Sequence, residues 1–334
     1  MSRLRYGFGA QGLLTSWLAS PLPDAVVEIA PDRVSAAIST AHGAHARVQA
    51  CAVEALAAGA VVPALASHNI VDRAAVTEAV RAVLARLGSH AARVALIIPD
   101  LAGKVSVVRF DRVPARRDDL DQLVRWQVRK SIPFPVEEAC ITYTPGRSGP
   151  DGHEFIVVAA RRDVVQEYEA AGAAAGVDAG LVELATFSVL NLVLALAEGT
   201  PAPQAGDCLV VHVRPEYTSI AILRDGDLIF FRNRPEDEEE TLADVVHQTA
   251  MYYQDRLAGQ GFARVLLGGR GRTAGAAGQA RKDIEARLGV SVDAIDPTPA
   301  AALTDRIGMS PDVLDALAPL AGVFLRVQRE AVGA

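Results

Sequence analysis

A glycine-rich run towards the end of the chain is the first pattern whose residue types could support chemistry. Gly268-Gly269-Arg270-Gly271 follows the apolar stretch Val265 to Leu267, and such a turn can bring backbone N–H groups close to a phosphate. The sequence contains neither a GxxxxGK[ST] pattern nor a full GxGxxG pattern. The glycines alone are therefore weak evidence for a nucleotide site, and a tight turn between a strand and a helix explains them equally well.

The sequence lacks the residue patterns that several other common chemistries need. Cys51, Cys140 and Cys208 are widely separated and show no CxxC spacing, which favours neither a disulfide framework nor a thiolate zinc site. No Gly-x-Ser-x-Gly elbow or cysteine–histidine signature is present, so no candidate nucleophile can be identified from the sequence. We therefore predict no catalytic residue and no metal ligand, and the cysteine usage fits a reducing cytoplasm.

Composition and charge restrict the classes of partner. The 334 residues carry a formal net charge of -7, which gives no general attraction for nucleic acid or for an anionic membrane. Half of the residues are hydrophobic and the mean hydropathy is +0.20. The longest apolar stretches, Ala55 to Ala66 and Leu184 to Ala197, are nevertheless shorter than the roughly 20 residues of a spanning helix. We expect residues 1–23 to form a surface arm or a short amphipathic helix.

The elements that would position any site occur twice along the chain. Apolar and alternating runs predict three strands, a helix and a further strand in each half. In the first half these are Ala25 to Ile29, Val34 to Ser39, Arg47 to Val53, a helix through Val76 to Leu87, and Val94 to Ile98. In the second half they are Cys208 to Val213, Thr218 to Arg224, Leu228 to Arg234, a helix from about Glu239, and Val265 to Leu267. Asp225-Gly226 predicts a hairpin turn.

The two halves align at their first turn. Glu28-Ile29-Ala30-Pro31 in the first half corresponds to His212-Val213-Arg214-Pro215 in the second half, with proline at the same step. This duplication predicts a two-lobed α/β fold built from ribonuclease-H-like halves, with a cleft between the lobes where a ligand is expected.

A segment of about residues 103–160 interrupts the first half. Its pattern predicts a strand at Val105 to Phe110 and an amphipathic helix at Arg116 to Ile132, which Pro133 ends. Further strands are predicted at Cys140 to Tyr143 and at Glu154 to Ala160. We therefore expect a small inserted α+β subdomain.

This inserted segment resembles the corresponding subdomain of the PilM family, the actin-like proteins of type IV pilus assembly, which are related to FtsA and to the cytoplasmic domain of GspL. The strongest signal is Ile132-Pro133-Phe134-Pro135-Val136-Glu137-Glu138 after the amphipathic helix, preceded by Val107-Val108-Arg109-Phe110-Asp111-Arg112-Val113-Pro114. The resemblance covers about residues 24–330.

The resemblance implies an actin-like architecture in four parts. These are an arm at 1–23, a first lobe at 24–102 and 161–200, the inserted subdomain at 103–160, and a second lobe at 201–334, whose last helix at about 311–330 can return to the first lobe. It also implies a cytoplasmic protein held at the inner membrane by partners. The expected partner is the N-terminal tail of a PilN-like bitopic membrane protein, and motor ATPases and a second copy of the chain are additional candidates.

Trp126 and the stretch Ile132-Pro133-Phe134-Pro135 are the candidate residues for binding that tail. Trp126 falls outside the apolar stripe of its helix, as is common for interface residues, although a partly buried tryptophan is the alternative. Phe134, between two prolines, either fills the core or lines a groove for the tail. The sequence leaves both choices open.

The nucleotide site of the family has an acidic residue followed by glycine in each of two tight turns, and this chain departs from that pattern. Glu28 keeps the first acid but Ala30 replaces the glycine, while His212 and Arg214 occupy the two positions in the second turn. A proline follows each turn and lacks an N–H group, and Ser35 stands where a lysine is expected. Together with Gly268, Gly269 and Gly271, these positions form a vestigial site.

Our principal hypothesis is therefore a non-catalytic scaffold of type IV pilus assembly, with no cofactor expected. One alternative is an actin-like protein that binds or hydrolyses ATP at a non-standard site, where the Arg214 guanidinium would hold a phosphate. Another is a GspL-like component of type II secretion.

Overall fold

Two five-stranded sheets with the same strand order form the body of the protein. The structure, a computed structural model, describes residues 23–40, 47–150, 152–198, 206–237, 239–269, 275–300 and 310–332. The first lobe begins with three antiparallel strands, a helix and a parallel strand. These are β1 (Ala25–Ile29), β2 (Arg33–Thr40), β3 (Arg47–Ala55), α1 (Arg73–Leu87) and β4 (Arg93–Ile98). The first half of the predicted repeat is thus confirmed.

Local sequence sets the ends of α1. The Asp72 side chain accepts a hydrogen bond of 2.9 Å from the Ala75 N–H group, which caps the first turn. Gly88 ends the helix in the left-handed region, with φ of 59°. Between these caps Val76, Val80 and others at helical spacing are buried against the sheet.

The inserted subdomain follows β4. It consists of β5 (Gly103–Phe110), α2 (Arg117–Val128), β6 (Ala139–Gly149) and β7 (Gly152–Arg161). The three strands form an antiparallel sheet in the order β5-β7-β6, and α2 packs Val124 and Val128 against one face of it. The predicted insertion is present as a sheet of its own.

Helix α2 is shorter than predicted. The prediction ran to Ile132, but the helix ends at Val128. The Ser131 N–H and hydroxyl groups donate to the Val128 carbonyl at 2.8 and 2.7 Å, and this turns the chain before Pro133. In the sequence, Ile132 continues the apolar stripe of the helix, and the prediction therefore included it. In the structure, its side chain belongs to a separate buried cluster with Ala139 and Ala159.

Three elements return the chain to the first lobe. They are α3 (Arg162–Ala174), β8 (Asp178–Leu184) and α4 (Ala185–Glu198). Strand β8 completes the first sheet in the order β3-β2-β1-β4-β8. The sequence pattern did not predict β8, because Gly180 and Glu183 interrupt its apolar run. Glu183 is buried and accepts a hydrogen bond of 3.0 Å from the Ser188 hydroxyl on α4.

The second lobe repeats the first. Its elements are β9 (Asp207–Val213), β10 (Tyr217–Arg224), β11 (Asp227–Pro235), α5 (Leu242–Arg256), β12 (Phe262–Gly269), α6 (Ala276–Leu288) and β13 (Val292–Ala294). The strand order β11-β10-β9-β12-β13 is that of the first sheet. Asp225 and Gly226 both have positive φ, 53° and 82°, as the predicted hairpin turn requires. The duplication is therefore confirmed.

The last helix, α7 (Pro311–Val332), packs on the first lobe. Its Leu320 and Phe324 lie in one buried cluster with Val26 of β1. A Cβ atom at Gly322 would lie 1.7 Å from the Ser188 carbonyl oxygen, so the close approach of α7 to α4 requires glycine there. This packing brings the first turn of α7, with Asp315, to the cleft between the lobes.

None of the helices within the described ranges has the length and apolar character needed to cross a membrane.

Candidate functional site

The two turns predicted to face a ligand lie at equivalent positions in the two lobes. Glu28 on β1 pairs with Ser35 on β2, and His212 on β9 pairs with Ser219 on β10. The alignment of the turns in sequence is thus also the register of the strands. Glu28, Ala30, His212 and Arg214 are all buried.

One backbone N–H group of each turn is used within the turn. The Ala30 N–H donates to the Arg33 carbonyl at 2.9 Å, and the Arg214 N–H donates to the Tyr217 carbonyl at 2.8 Å. Pro31 and Pro215 carry no N–H group. Each turn therefore offers fewer free amide donors than a turn that cradles a phosphate.

An ion pair joins the lobes where the turns meet. The Arg214 Nη2 atom lies 2.9 Å from Glu28 Oε1, and both side chains are only 1% exposed. The Ser35 hydroxyl donates to the second oxygen of Glu28 at 3.0 Å. Breaking a pair this deeply buried would leave an uncompensated charge in a low-dielectric environment.

Arg33 and Asp315 complete a cluster of four charges. Asp315 Oδ2 lies 2.9 Å from Arg33 Nη2 and 3.7 Å from Arg214 Nη1, while Arg33 Nη2 lies 3.9 Å from Glu28 Oε2. We call Glu28, Arg33, Arg214 and Asp315 the cleft cluster. It contains two positive and two negative side chains from β1, β2, the second turn and α7.

The charges of the cleft cluster maintain one another. Burial pushes the pKa of Asp315 upward, but Arg214 and Arg33 outweigh this effect and hold the pKa below its ordinary value. Burial alone would lower the pKa of Arg214, yet Glu28 and Asp315 raise it above its ordinary value. Asp315 and Arg214 are therefore both charged at neutral pH.

A second buried network lies beside the first. Asp100, just after β4, accepts hydrogen bonds from the Thr186 N–H at 2.9 Å, from the Ser219 hydroxyl at 2.6 Å and from the Thr186 hydroxyl. Thr186 Oγ1 also lies 2.8 Å from His212 Nδ1. Because the threonine hydroxyl donates to Asp100, we assign the proton of the neutral imidazole to Nδ1, which donates to Thr186.

Burial dominates the acid–base properties of this network. It raises the pKa of Asp100 despite the hydrogen bonds from Ser219 and Thr186. It lowers the pKa of His212 to about 3, and the positive charge of Arg214 acts in the same direction. His212 is therefore neutral at physiological pH, and it links the lobes by hydrogen bonding and not by charge.

Sequence reasoning found part of this site. It identified Glu28, His212 and Arg214 from the turn alignment but missed Arg33, Asp100 and Asp315. Asp100 carried one usable signal, since it follows a strongly apolar strand in a fold where ligands lie at such strand ends. Asp315 carried none, because only the packing of α7 on the first lobe brings it to the cleft.

The structure shows a packing constraint at two of the glycines predicted near a nucleotide. A Cβ atom at Gly268 would lie 2.8 Å from Ile295 Cδ1, and one at Gly269, where φ is +79°, would lie 1.9 Å from the Val213 carbonyl oxygen. Gly271 lies outside the described residues.

The residues of the cleft do not fit a magnesium nucleotide. One amide of each turn is used within the turn, and the guanidinium groups of Arg33 and Arg214 are already paired with Asp315 and Glu28. Within the described ranges, no group of three or more histidine, cysteine, aspartate or glutamate side chains is placed to hold a metal ion.

The candidate partner residues divide between core and surface. Trp126 is 59% exposed, and the Arg129 guanidinium lies 5.9 Å from the centre of its ring. Ile132 is buried and Phe134 packs partly against the same cluster, whereas Pro133 and Pro135 are exposed. The stretch thus anchors itself in the core with its apolar side chains and presents its prolines to solvent.

A junction joins the inserted subdomain to the first lobe beside this stretch. The Arg161 guanidinium at the end of β7 donates to the Ala66 carbonyl, and Arg161 pairs in register with Ala139, which follows Glu138. Val62 and Val71, at the base of the segment that carries Ala66, are 51% and 69% exposed. We define the junction as residues 62–71 and 133–139 with Arg161.

The first prediction concerns the ion pair across the cleft. Glu28→Gln and Arg214→Gln should each lower the free energy of unfolding by about 3–5 kcal/mol, because each leaves a buried charge without its nearest partner. The double variant should lose clearly less than the sum of the two. Urea unfolding followed by circular dichroism measures all three.

Arg81→Gln is the matched control, since Arg81 forms an exposed ion pair with Glu78 on α1. Its expected loss is below about 1 kcal/mol. Strictly additive losses in the Glu28 and Arg214 variants would contradict the pairing.

The second prediction concerns pH. The folded protein keeps His212 neutral down to about pH 3, whereas the unfolded chain protonates it below about pH 6.5. Stability should therefore fall as the pH falls through that range. Between about pH 7.5 and 5.0, the free energy of unfolding of the wild type should fall by about 2 kcal/mol more than that of His212→Gln.

Urea unfolding at both pH values tests this difference. Asp100, whose raised pKa works in the opposite direction, is present in both proteins. Equal pH dependence of the wild type and His212→Gln would show that His212 is not held neutral by the fold.

Comparison with known proteins identifies the family. The family model described as Type IV pilus assembly protein PilM matches residues 27–248. The solved structure of a PilM-PilN type IV pilus biogenesis complex has a chain that superposes with a TM-score of 0.76 and 16% identity, covering 94% of this chain and 99% of that chain.

More distant structural similarity extends to two other proteins. A protein with an actin-like ATPase fold and unknown function from Bacteroides thetaiotaomicron matches with a TM-score of 0.49 and 10% identity, over 91% of this chain and 98% of that chain. The cytoplasmic domain of EpsL, an inner membrane component of the type II secretion system of Vibrio cholerae, matches with a TM-score of 0.45 and 12% identity, over 77% of this chain and 91% of that chain.

The family model extends over well more than half of the sequence, and it includes the first lobe, the inserted subdomain and the start of the second lobe. The resemblance first carried by the Ile132 to Glu138 stretch is thereby confirmed. The chain belongs to the PilM family of type IV pilus assembly proteins.

Proposed function

We propose that this protein is a non-catalytic scaffold of type IV pilus assembly that binds the cytoplasmic tail of a PilN-like membrane protein. One observation carries the proposal: both phosphate turns are closed by the chain's own side chains, while the inserted subdomain is complete and presents exposed apolar residues. The partner's tail would hold the protein at the inner membrane, since the described helices offer no span.

The cleft cluster supports the absence of catalysis. ATP hydrolysis in such a cleft needs phosphate groups held by amide donors and a metal ion. Here the Glu28–Arg214 pair joins the turns directly at 2.9 Å, and Asp315 adds a second carboxylate. A nucleotide would have to displace charged side chains that already neutralise one another and are removed from water. The closed cleft therefore favours a structural role for these residues over ATP hydrolysis.

The junction supports the binding of a tail. Val62 and Val71 at the junction and Trp126 on α2 are among the large apolar side chains that are exposed in the described structure, and exposed apolar residues can contribute to interaction sites. Pro133 and Pro135 add exposed, rigid apolar residues on the inserted subdomain. In this proposal a short extended tail contacts the first lobe and the inserted subdomain at once, with Trp126, Pro133 and Pro135 as the exposed candidate residues.

The third prediction tests this surface. Val71→Asp and Trp126→Ala should each weaken the binding of a synthetic tail peptide from the cognate PilN-like protein by about tenfold, because each removes exposed apolar contact area from the proposed surface. Isothermal titration calorimetry measures the affinities. Met251→Asp is the matched control, since Met251 is an exposed apolar residue on α5 of the second lobe.

The possible outcomes distinguish an error in the location of the binding site from an error in the proposed function. Tail binding that survives both Val71→Asp and Trp126→Ala would place the site elsewhere on the protein. A wild-type protein that binds no cognate tail and turns over Mg-ATP would contradict the proposed function itself.

A further inference from the structure

A compact loop of the first lobe forms one side of the junction. Residues 60–71 lie between β3 and α1, and the two ends of this loop are joined by an antiparallel bridge between Val61 and Ile70. Beside the bridge, the Val62 N–H donates to the Asn69 carbonyl at 2.8 Å. We call residues 60–71 the junction loop. A surface loop of this length whose ends meet is an Ω-loop, a type that frequently carries function.

Asn69 organises the inside of the junction loop. Its side chain is buried, and its amide group donates to the Ala64 and Ser67 carbonyls, both at 2.8 Å. Its side-chain oxygen accepts a hydrogen bond of 3.1 Å from the Tyr168 hydroxyl on α3. Both amide hydrogens and the oxygen are thus used, as a buried amide requires. The junction loop is tied to α3 through its own central side chain.

Glu167 on α3 binds the backbone of the same loop. Its Oε2 atom accepts hydrogen bonds from two consecutive N–H groups, those of Asn69 at 2.8 Å and Ile70 at 3.3 Å. Its Oε1 atom contacts His68 Nδ1 and lies 4.0 Å from Arg73 Nη2. The Glu167 side chain is only 5% exposed, and hydrogen bonds to a carboxylate are stronger than those between neutral groups. One side chain therefore holds three consecutive residues of the junction loop.

This contact sets the direction of the exposed valines at the junction. Ile70 is 5% exposed and packs in the core of the first lobe, whereas Val71, the next residue, is 69% exposed. On the other side of the bridge, Val61 is buried and Val62 is exposed. Because side chains alternate along an extended chain, the backbone at Ile70 must stay in place for Val71 to point into solvent. Glu167 thus supports the apolar surface that the tail is proposed to contact.

The middle of the junction loop lies at the surface of the protein. Residues 66–68 are exposed, and the inserted subdomain holds this part through the hydrogen bond from Arg161 to the Ala66 carbonyl. Helix α1, which follows the loop, has its own cap at Asp72. Loss of the Glu167 carboxylate should therefore open the junction loop locally and leave the sheet and α1 intact.

We propose that Glu167 is a positioning residue for tail binding, which does not contact the tail but keeps the junction loop in the shape that binds it. The inference rests on the proposed function and adds how the affinity of that site is set. A loop that is already ordered loses little conformational entropy when a peptide binds. When only a fraction of the molecules hold the competent shape, the apparent dissociation constant rises by the inverse of that fraction.

Binding kinetics distinguish a positioning residue from a contact residue. Glu167→Ala in the full chain should lower the association rate constant of a synthetic tail peptide from the cognate PilN-like protein by about tenfold, because the competent fraction is smaller. The dissociation rate constant should stay unchanged. Val71→Asp should act mainly on the dissociation rate constant, since it removes a contact. Surface plasmon resonance with immobilised peptide measures both constants.

Glu183→Gln is the matched control for destabilisation. Glu183 is also a buried glutamate of the first lobe, but it accepts its hydrogen bonds from Ser188 and Asn191 on α4. Glu167→Gln keeps one oxygen that accepts from the loop amides, so its association rate constant should lie between those of the wild type and Glu167→Ala. Without peptide, hydrogen exchange of residues 62–71 should become about tenfold faster in Glu167→Ala and stay unchanged in Glu183→Gln.

Three results would overturn the inference. They are an unchanged association rate constant in folded Glu167→Ala, equal slowing in Glu183→Gln, and an effect of Glu167→Ala on the dissociation rate constant alone. Should Glu167→Ala not fold, an unchanged association rate constant in Glu167→Gln has the same meaning. All of these results leave tail binding by the wild type in place. A wild type that binds no cognate tail contradicts the proposed function itself, and this inference falls with it.

Discussion

The ion pair between Glu28 and Arg214 is the interaction on which the arrangement of the lobes depends. Each charge comes from a different lobe, and each is almost completely removed from water. Either charge alone would destabilise the fold, because the desolvation of an isolated buried charge costs several kcal/mol even after relaxation. The lobes must therefore meet at one relative position, and Asp315 and Arg33 extend that requirement to α7. In this way, three distant parts of the chain are fixed at the cleft centre.

Duplication explains why the site has the form it does. Both halves place a turn at the end of the first strand pair, so the two turns meet across the cleft whatever residues they carry. In this chain Glu28 and Arg214, at two of the turn positions, bind each other, and His212 hydrogen-bonds to Thr186. The two turns still meet across the cleft, but the Glu28 and Arg214 side chains in them bind each other instead of facing a ligand.

Periodicity predicted the duplicated strands, the insertion and the two turns, because these features depend on local pattern and turn chemistry. The sequence pattern did not predict those features that depend on tertiary contacts. Strand β8 is polar at Glu183 because α4 supplies hydrogen-bond partners, and α2 ends early because Ser131 takes up the Val128 carbonyl. At the site, Glu28 and Arg214 were predicted as positions but not as partners, since they are 186 residues apart in the chain. Whether the junction binds a tail stays a prediction.

The central claim is that buried charges, and not a nucleotide, hold the two lobes together. The distance between the lobes tests this most directly, measured by pulsed electron resonance with spin labels at Ala74→Cys on α1 and Lys282→Cys on α6, both exposed, with the three native cysteines replaced by serine. The account predicts one narrow distance distribution that Mg-ATP leaves unchanged and that Arg214→Gln broadens. A broad distribution that becomes narrow or shifts when Mg-ATP is added would contradict it.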